Sequence, residues 1–152
     1  MRGERQRSYV AFAHEIQRWC GLADVDAKAL RRELWRRMAF NAVCGYGDDH
    51  PRNHGLLHRN GRWGLSQAFD IAPYIPFSGT LAMAITREGS ALATTVNLLR
   101  SCDNFGYEPE EASDCIERCK DLLATGWGDE VVACGQPRDA VPTPTFEWLD
   151  RA

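Results

Sequence analysis

No stretch of this 152-residue sequence approaches the ~18 consecutive apolar residues of a membrane-spanning helix. The opening MRGERQRSYV is charged with no apolar segment behind it, so an export signal is not expected and the cytoplasm is the expected compartment. Lysine is scarce, with Lys28 and Lys120 the only two, and a formal net charge of −3 gives no support for a nucleic-acid surface, although local Arg clusters remain possible. Direct contact with nucleic acid and insertion into a membrane are therefore both unexpected. The six cysteines, at 20, 44, 102, 115, 119 and 134, include no C-x-x-C pair, which excludes a zinc ribbon and favours reduced, mostly buried thiols. Repeats, low-complexity tracts and a linker are absent as well, so residues 1–152 are expected to form a single domain.

What is present is mostly helical patterning. Residues 8–20 place Tyr9, Phe12, Ile16 and Trp19 near helical spacing, with Ser8 able to cap the first turn and Gly21 to end the run; His14 is expected at the surface or the edge of the core. A second helix, capped by Asp24 or Asp26, carries Leu30, Leu34, Met38 and Ala42 at four-residue intervals and stops at Gly45 and Gly47. Arg31, Arg32, Arg36 and Arg37 lie off that stripe and read as a solvated face paired with Glu33.

GLLHRNGRWGLS reads as two short strands turning at Asn60-Gly61, with Leu57, Trp63 and Leu65 as packing surface and His58 and Arg59 exposed. Residues 71–80 look irregular, and 80–85 fit no single period. A helix from Ser90 is expected to turn Leu92, Val96 and Leu99 inward and to end near Asp103-Asn104. Another opens at Glu108 or Pro109 with Ile116, Cys119, Leu122 and Leu123 inward, interrupted at Gly126 and Gly128. After a proline-containing tail, FEWL is expected to dock as one apolar turn. The fold class is thus mainly α with one small β-hairpin.

Chemically capable side chains crowd into FNAVCGYGDDHPRNHGLLHRNGRWGLSQAFDIAP, residues 40–73. Asp48 and Asn53 stand in a D-x-x-x-x-N arrangement, and Asp70 returns after the hairpin. This spacing lets one loop offer a carboxylate to a substrate hydroxyl and an amide oxygen to a metal, while a second acid completes the hard oxygen set that magnesium prefers. Alone the pattern is weak, since Asp48 and Asp49 can brace a turn, Asn53 can form an Asx-turn and Asp70 can close the hairpin.

The context makes it specific. FNAVCGYGDDHPRNHG followed by WGLSQAFDIAP resembles the carboxy-terminal kinase domain of HipA-type toxins, bacterial serine/threonine protein kinases; the similarity runs from about Ser8 into the helices after Ser90. The resemblance implies the helical C-lobe of a kinase-like fold. It implies Asp48 as the catalytic aspartate beside the substrate hydroxyl, Asn53 and Asp70 as ligands of Mg2+ against the phosphates of ATP, and His50 where many kinases carry a lysine that steadies the transferred group. Asp49 and His54 match common family residues, for which loop-supporting hydrogen bonds are the reading. Tyr46-Gly47 departs from the Asn-Thr often found before the paired aspartates.

Nothing in the sequence looks like the amino-terminal kinase lobe, with its glycine-rich loop and its strand-borne Lys paired to a helix-borne Glu. A C-lobe incomplete alone is therefore expected, its ATP-binding lobe in another chain or lost. The implied partners are that lobe, a helix-turn-helix antitoxin, and a protein substrate such as a translation factor or an aminoacyl-tRNA synthetase. Two other readings compete. One is a non-catalytic binding or regulatory module that docks on a partner or antitoxin; the other, weaker, is a transition-metal hydrolase site from Asp48, Asp49, His50, His54 and His58, disfavoured by the hairpin that carries His58 away.

Overall fold

The first helix, α1 (Tyr9–Cys20), starts after Ser8, whose Oγ accepts the Ala11 amide at 3.4 Å. The computed structural model describes residues 7–20, 24–72, 77–140 and 145–151. Tyr9, Val10, Ala13, Ile16 and Cys20 form the buried face of α1 and His14 is exposed. Trp19, expected inward, is half-exposed and instead stands edge-on to Trp63 of the hairpin at 6.3 Å.

α2 (Asp24–Cys44) is the central helix, and the cap expected at Asp24 or Asp26 falls on side chains outside the described residues. Its expected stripe is broadened by Trp35, Ala39 and Val43, all buried, because α1 and α4 both pack on it. A helix covered by two neighbours needs a wider apolar arc than a surface helix. The arginines divide accordingly. Arg36 and Arg37 pair with Glu33 at 2.7 and 2.9 Å, as expected. Arg32 instead donates to the Gly106 carbonyl at 2.7 Å, pairs with Glu111 at 3.0 Å and lies 3.8 Å above the Tyr107 ring. Arg37 also donates to the Ser66 carbonyl at 2.7 Å, which ties the exit of the hairpin to α2.

The hairpin forms as the Asn-Gly signal predicts. β1 (Leu56–Arg59) pairs antiparallel with β2 (Arg62–Leu65), Leu56 opposite Leu65, and the turn residues Asn60 and Gly61 adopt φ of 52° and 76°, a conformation natural to this dipeptide. Strand alternation places Leu56 with Leu65 on the face packed against the core and leaves Leu57 outside, opposite to the expectation for Leu57. Trp63 is also partly exposed, and His58 and Arg59 are exposed.

Residues 73–76 lie outside the described residues; from Phe77 the chain is extended and irregular, with Leu81, Met83 and Ile85 buried at alternate positions. Bridges from Ser8 to Ala84 and from Thr80 to Leu92 pin it down. α3 (Thr95–Ser101) is shorter than expected, because Thr94, accepting the Asn97 amide at 3.2 Å, caps it rather than Ser90. Its inward face is consequently Leu98 and Ser101, while Leu92 and Val96 are exposed.

α4 (Pro109–Ala133) begins after Glu108, whose amide donates to the Glu111 side chain at 3.2 Å, and it continues through Gly126 and Gly128. Ile116 and Leu123 are buried and Cys119 packs at the core edge, but Leu122 points to solvent, one position off the four-residue row. Phe146–Leu149 docks as a single turn: Leu149 is fully buried and Trp148 Nε1 donates to the Ala42 carbonyl at 2.8 Å. The architecture is mainly helical with one two-stranded sheet among the described residues, and all six cysteines are free thiols.

Candidate active site

The loop between α2 and the hairpin is built in two tiers. The lower tier is buried around Asp49, which is 2% exposed. Its Oδ2 accepts the Asn41 side-chain amide of α2 at 2.7 Å and the Tyr9 hydroxyl of α1, and His54 Nε2 stands 2.9 Å from Oδ1. A bond there makes the imidazole an Nε2–H donor. The His54 ring is flanked edge-on by Tyr9 and Phe12 at 5.7 and 5.6 Å. Burial, then the nearby Asp49 charge, pushes the Tyr9 phenol well above its ordinary range. Asp49 and His54 thus act as the loop-supporting pair, joining two helices to the loop through one carboxylate.

The upper tier opens to solvent. Asp48 and Asp70 are both exposed and line one cleft of about 550 Å3 together with Tyr46, Phe77, Ser78 and Thr80. Asn53 is buried at the end of the 3-10 turn Pro51–Asn53, and its Nδ2 donates to the Tyr46 hydroxyl at 2.9 Å, so Tyr46 connects it to the cleft wall. Burial first, then the Asp70 carboxylate, raises the Tyr46 phenol above its usual value, with the Asn53 hydrogen bond acting the other way. Of the residues expected to converge, Asp48 and Asp70 share a cleft, whereas Asn53 does not line it and is linked to its wall only through the Tyr46 phenol.

Gly47 has a steric role in this wall. A Cβ there would meet the Thr80 carbonyl and the Phe77 ring at 3.2 Å each, so the departure at this position suits the close passage of residues 77–80. His50 is half-buried and is not one of the cleft-lining residues; its backbone closes the turn, accepting the Asn53 amide at 2.9 Å, and its Nδ1 is buried with no hydrogen-bond partner among the described residues.

Asp70 has an unusual backbone. At φ 56° it sits in the left-handed region that few non-glycine residues enter, and it is flanked by the exposed Phe69 and Ile71. A larger cleft, about 740 Å3, lies between the start of α1 and Thr86–Gly89 and contains none of the expected site residues.

Tyr9, Asn41 and Tyr46 were not anticipated as site residues. Asn41 has a sequence signal, an amide adjoining the apolar stripe of α2, and Tyr46 stands beside the paired aspartates. Tyr9 has none, because its contact with Asp49 spans 40 positions.

Residues 2–127 match the family model of the HipA-like C-terminal domain. The chain belongs to that family. Membership places the HipA-like domain in a toxin-related kinase context. A comparison with curated proteins gave no match. No helix among the described residues is long and apolar enough to cross a membrane.

The carboxylates of Asp48 and Asp70 are hard oxygen donors, unlike the thiolate and imidazole sets typical of zinc. Two carboxylates and a carboxamide are hard ligands, and magnesium is ordinarily held by one or two carboxylates plus substrate phosphates. Among the described residues no group of three or more His, Cys, Asp or Glu side chains is placed to hold a metal ion. The transition-metal reading fails on placement: His54 is committed to Asp49 in the interior, whereas His58 is on the exposed hairpin against Trp63 at 5.1 Å.

Proposed function

We propose that this HipA-like domain provides the catalytic loop and magnesium ligands for transfer of the γ-phosphoryl group of ATP to a serine or threonine hydroxyl of a protein. The observation that carries the reading is the shared cleft of Asp48 and Asp70, with Asn53 attached to its wall through Tyr46. Asp48, exposed and free of the buried network, takes the proton of the acceptor hydroxyl as its oxygen bonds to the γ-phosphorus and the bond to the ADP oxygen breaks. Asn53 and Asp70 would hold Mg2+, which when bound neutralises charge on the phosphates. His50, at the turn between Asp48 and Asn53, is assigned the steadying of the transferred group.

The buried tier around Asp49 keeps Asp48 in place before any substrate arrives, and preorganisation of this kind is most of what phosphoryl transfer asks of a protein. An amino-terminal lobe supplies the remaining grip on the nucleotide. A helix-turn-helix antitoxin and a translation-related substrate are the partners proposed, in the cytoplasm.

The test combines the full chain with an amino-lobe protein, Mg2+ and labelled ATP, and follows phosphate on protein acceptors. Transfer is expected and is lost in Asp48→Asn; transfer unchanged by that substitution would overturn the role of Asp48. The binding-module reading predicts no magnesium-dependent ATP binding, with or without the lobe, and calorimetry separates the two.

A further inference from the structure

We propose that Trp148 is a positioning residue that straps the wall formed by residues 77–80 to the end of α2 that delivers Asp48, an inference that rests on the reading of this cleft as a phosphoryl-transfer site. Trp148 belongs to the last turn of the chain, beyond residues 2–127 that match the family. Its contacts nevertheless run to both sides of the cleft.

One end of the strap is a hydrogen bond. The Trp148 Nε1–H donates to the Ala42 carbonyl at 2.8 Å, and Ala42 lies in the last turn of α2, where carbonyls have no partner inside the helix. From there the chain runs through Tyr46 and Gly47 directly into Asp48. The indole thus closes the helix end from which the reactive loop departs.

The other end is ring packing. The Trp148 ring stands edge-on to Phe77 at 5.2 Å, and its Cβ is 3.4 Å from the point a Gly79 Cβ would occupy. Phe77 in turn closes on the loop, with Cε2 3.2 Å from where a Gly47 Cβ would stand. Among the described residues, the backbone bonds that pin this wall act at its far end: the Ala93 amide donates to the Gly79 carbonyl at 2.8 Å and the Leu81 amide to the Ala91 carbonyl at 2.9 Å. Phe77 and Ser78, which line the cleft with Asp48 and Asp70, precede those bonds. Their distance from Asp48 is therefore set by Trp148 on one side and Gly47 on the other. Phosphoryl transfer depends on such placement, and a misplacement of about 1 Å caused far from the chemistry can cost roughly a hundredfold in rate.

A strap holds only while both ends are attached, so releasing the second end should add little to releasing the first. Trp148→Phe keeps a ring toward Phe77 and removes the donor to Ala42, whereas Phe77→Leu removes the ring contact. The experiment takes the full chain, these two variants and their double, with Ile116→Val as a control at a fully buried position in α4 that does not line the cleft. Amide NMR of each chain alone should show shifts at Gly47, Asp48 and Ser78 in Trp148→Phe and none there in Ile116→Val. With an amino lobe, Mg2+ and ATP, kcat per folded protein should fall about tenfold in Trp148→Phe, stay nearly unchanged in Ile116→Val, and be scarcely lower in the double variant than in Phe77→Leu.

Single-variant losses that multiply in the double overturn the strap, because they mean two independent packing defects. Unchanged Gly47 and Asp48 amides in Trp148→Phe overturn it as well. A wild-type chain that transfers no phosphate overturns instead the phosphoryl-transfer reading, and the amide shifts of the same cycle then decide the strap by themselves, non-additive shifts retaining it and additive shifts removing it.

Discussion

Adjacent aspartates in one loop should respond to the same substitution in opposite ways. Asp49→Ala removes a carboxylate that engages Tyr9, Asn41 and His54 in a site 2% exposed, leaving three donors without their acceptor. Each stranded buried donor costs roughly 1–3 kcal/mol, and because the three share one acceptor and relax together, the total expected is about 3–5 kcal/mol rather than their full sum. With a urea slope of about 2 kcal/mol per molar, that lowers the unfolding midpoint by ~2 M. Asp48→Ala, on an exposed side chain in the cleft, should move stability by no more than about 0.5 kcal/mol while abolishing phosphate transfer. Urea unfolding followed by tryptophan fluorescence reads the first quantity and phosphate incorporation with an amino lobe reads the second. Equal midpoints for the two variants would refute the two-tier account of the loop.

Alkaline pH supplies a second check, because the Tyr9 phenol is raised above its ordinary value near 10.0 by burial and by Asp49. The folded state holds that proton after the unfolded chain has released it, so stability is intact below pH ~10 and falls above it, by at most about 1.4 kcal/mol per pH unit for this one group. Melting curves should show a shallower alkaline loss in Tyr9→Phe than in wild type, and parallel losses would count against the buried Tyr9–Asp49 contact. At Asp70 the backbone and the carboxylate can be separated: Asp70→Asn should preserve stability, and Asp70→Ala should cost about 1 kcal/mol because alanine tolerates a φ of 56° less well. Both should lose magnesium-dependent ATP binding, by calorimetry with the amino lobe present. Leu149→Ala, at a fully buried position in the docked tail, should cost roughly 2–5 kcal/mol, visible as a drop in Tm, whereas an unchanged Tm would mean that the last turn is not part of the core.

Local rules reached the fold where local physics decided it. The Asn60-Gly61 turn, the proline-opened start of α4 and the apolar final turn each follow from two to four neighbouring residues, and each formed as read. Where the outcome depended on distant packing, the reading slipped. Leu57 and Leu56 are both apolar, and only the approach of the core decides which strand face is buried. Thr94 stands in place of Ser90 as the α3 cap, and Leu92, between them, is held in a bridge to Thr80 that a helix from Ser90 would not allow. For the site, the spacing of Asp48, Asn53 and Asp70 was legible within one stretch, as was a supporting role for Asp49 and His54. The supports themselves were less so, since Tyr9 reaches Asp49 from another helix, and a phenol bonded to Asn53 cannot be inferred from its position in the chain.

On the proposed function, the contrast between the tiers would let one loop be both held in place and reactive. Asp49 has its acceptors filled by groups that the core already immobilises, so it contributes order and offers nothing to a substrate. Asp48, one residue on the other side, faces the cleft with a carboxylate that the network does not use. Asp70 marks the opposite limit of the same logic. Among the described residues only Asn60 and Asp70 show positive φ without being glycine, and the hairpin turn accounts for Asn60 alone. A left-handed aspartate between an exposed Phe69 and an exposed Ile71 gains little from packing and bears a backbone cost of about 1 kcal/mol. Positions where local energetics are unfavourable without a structural return are where function is expected to have set the residue. On the proposed function, the strain at Asp70 and the openness of Asp48 would have one origin, the need to hold charge in a cleft rather than to bury it.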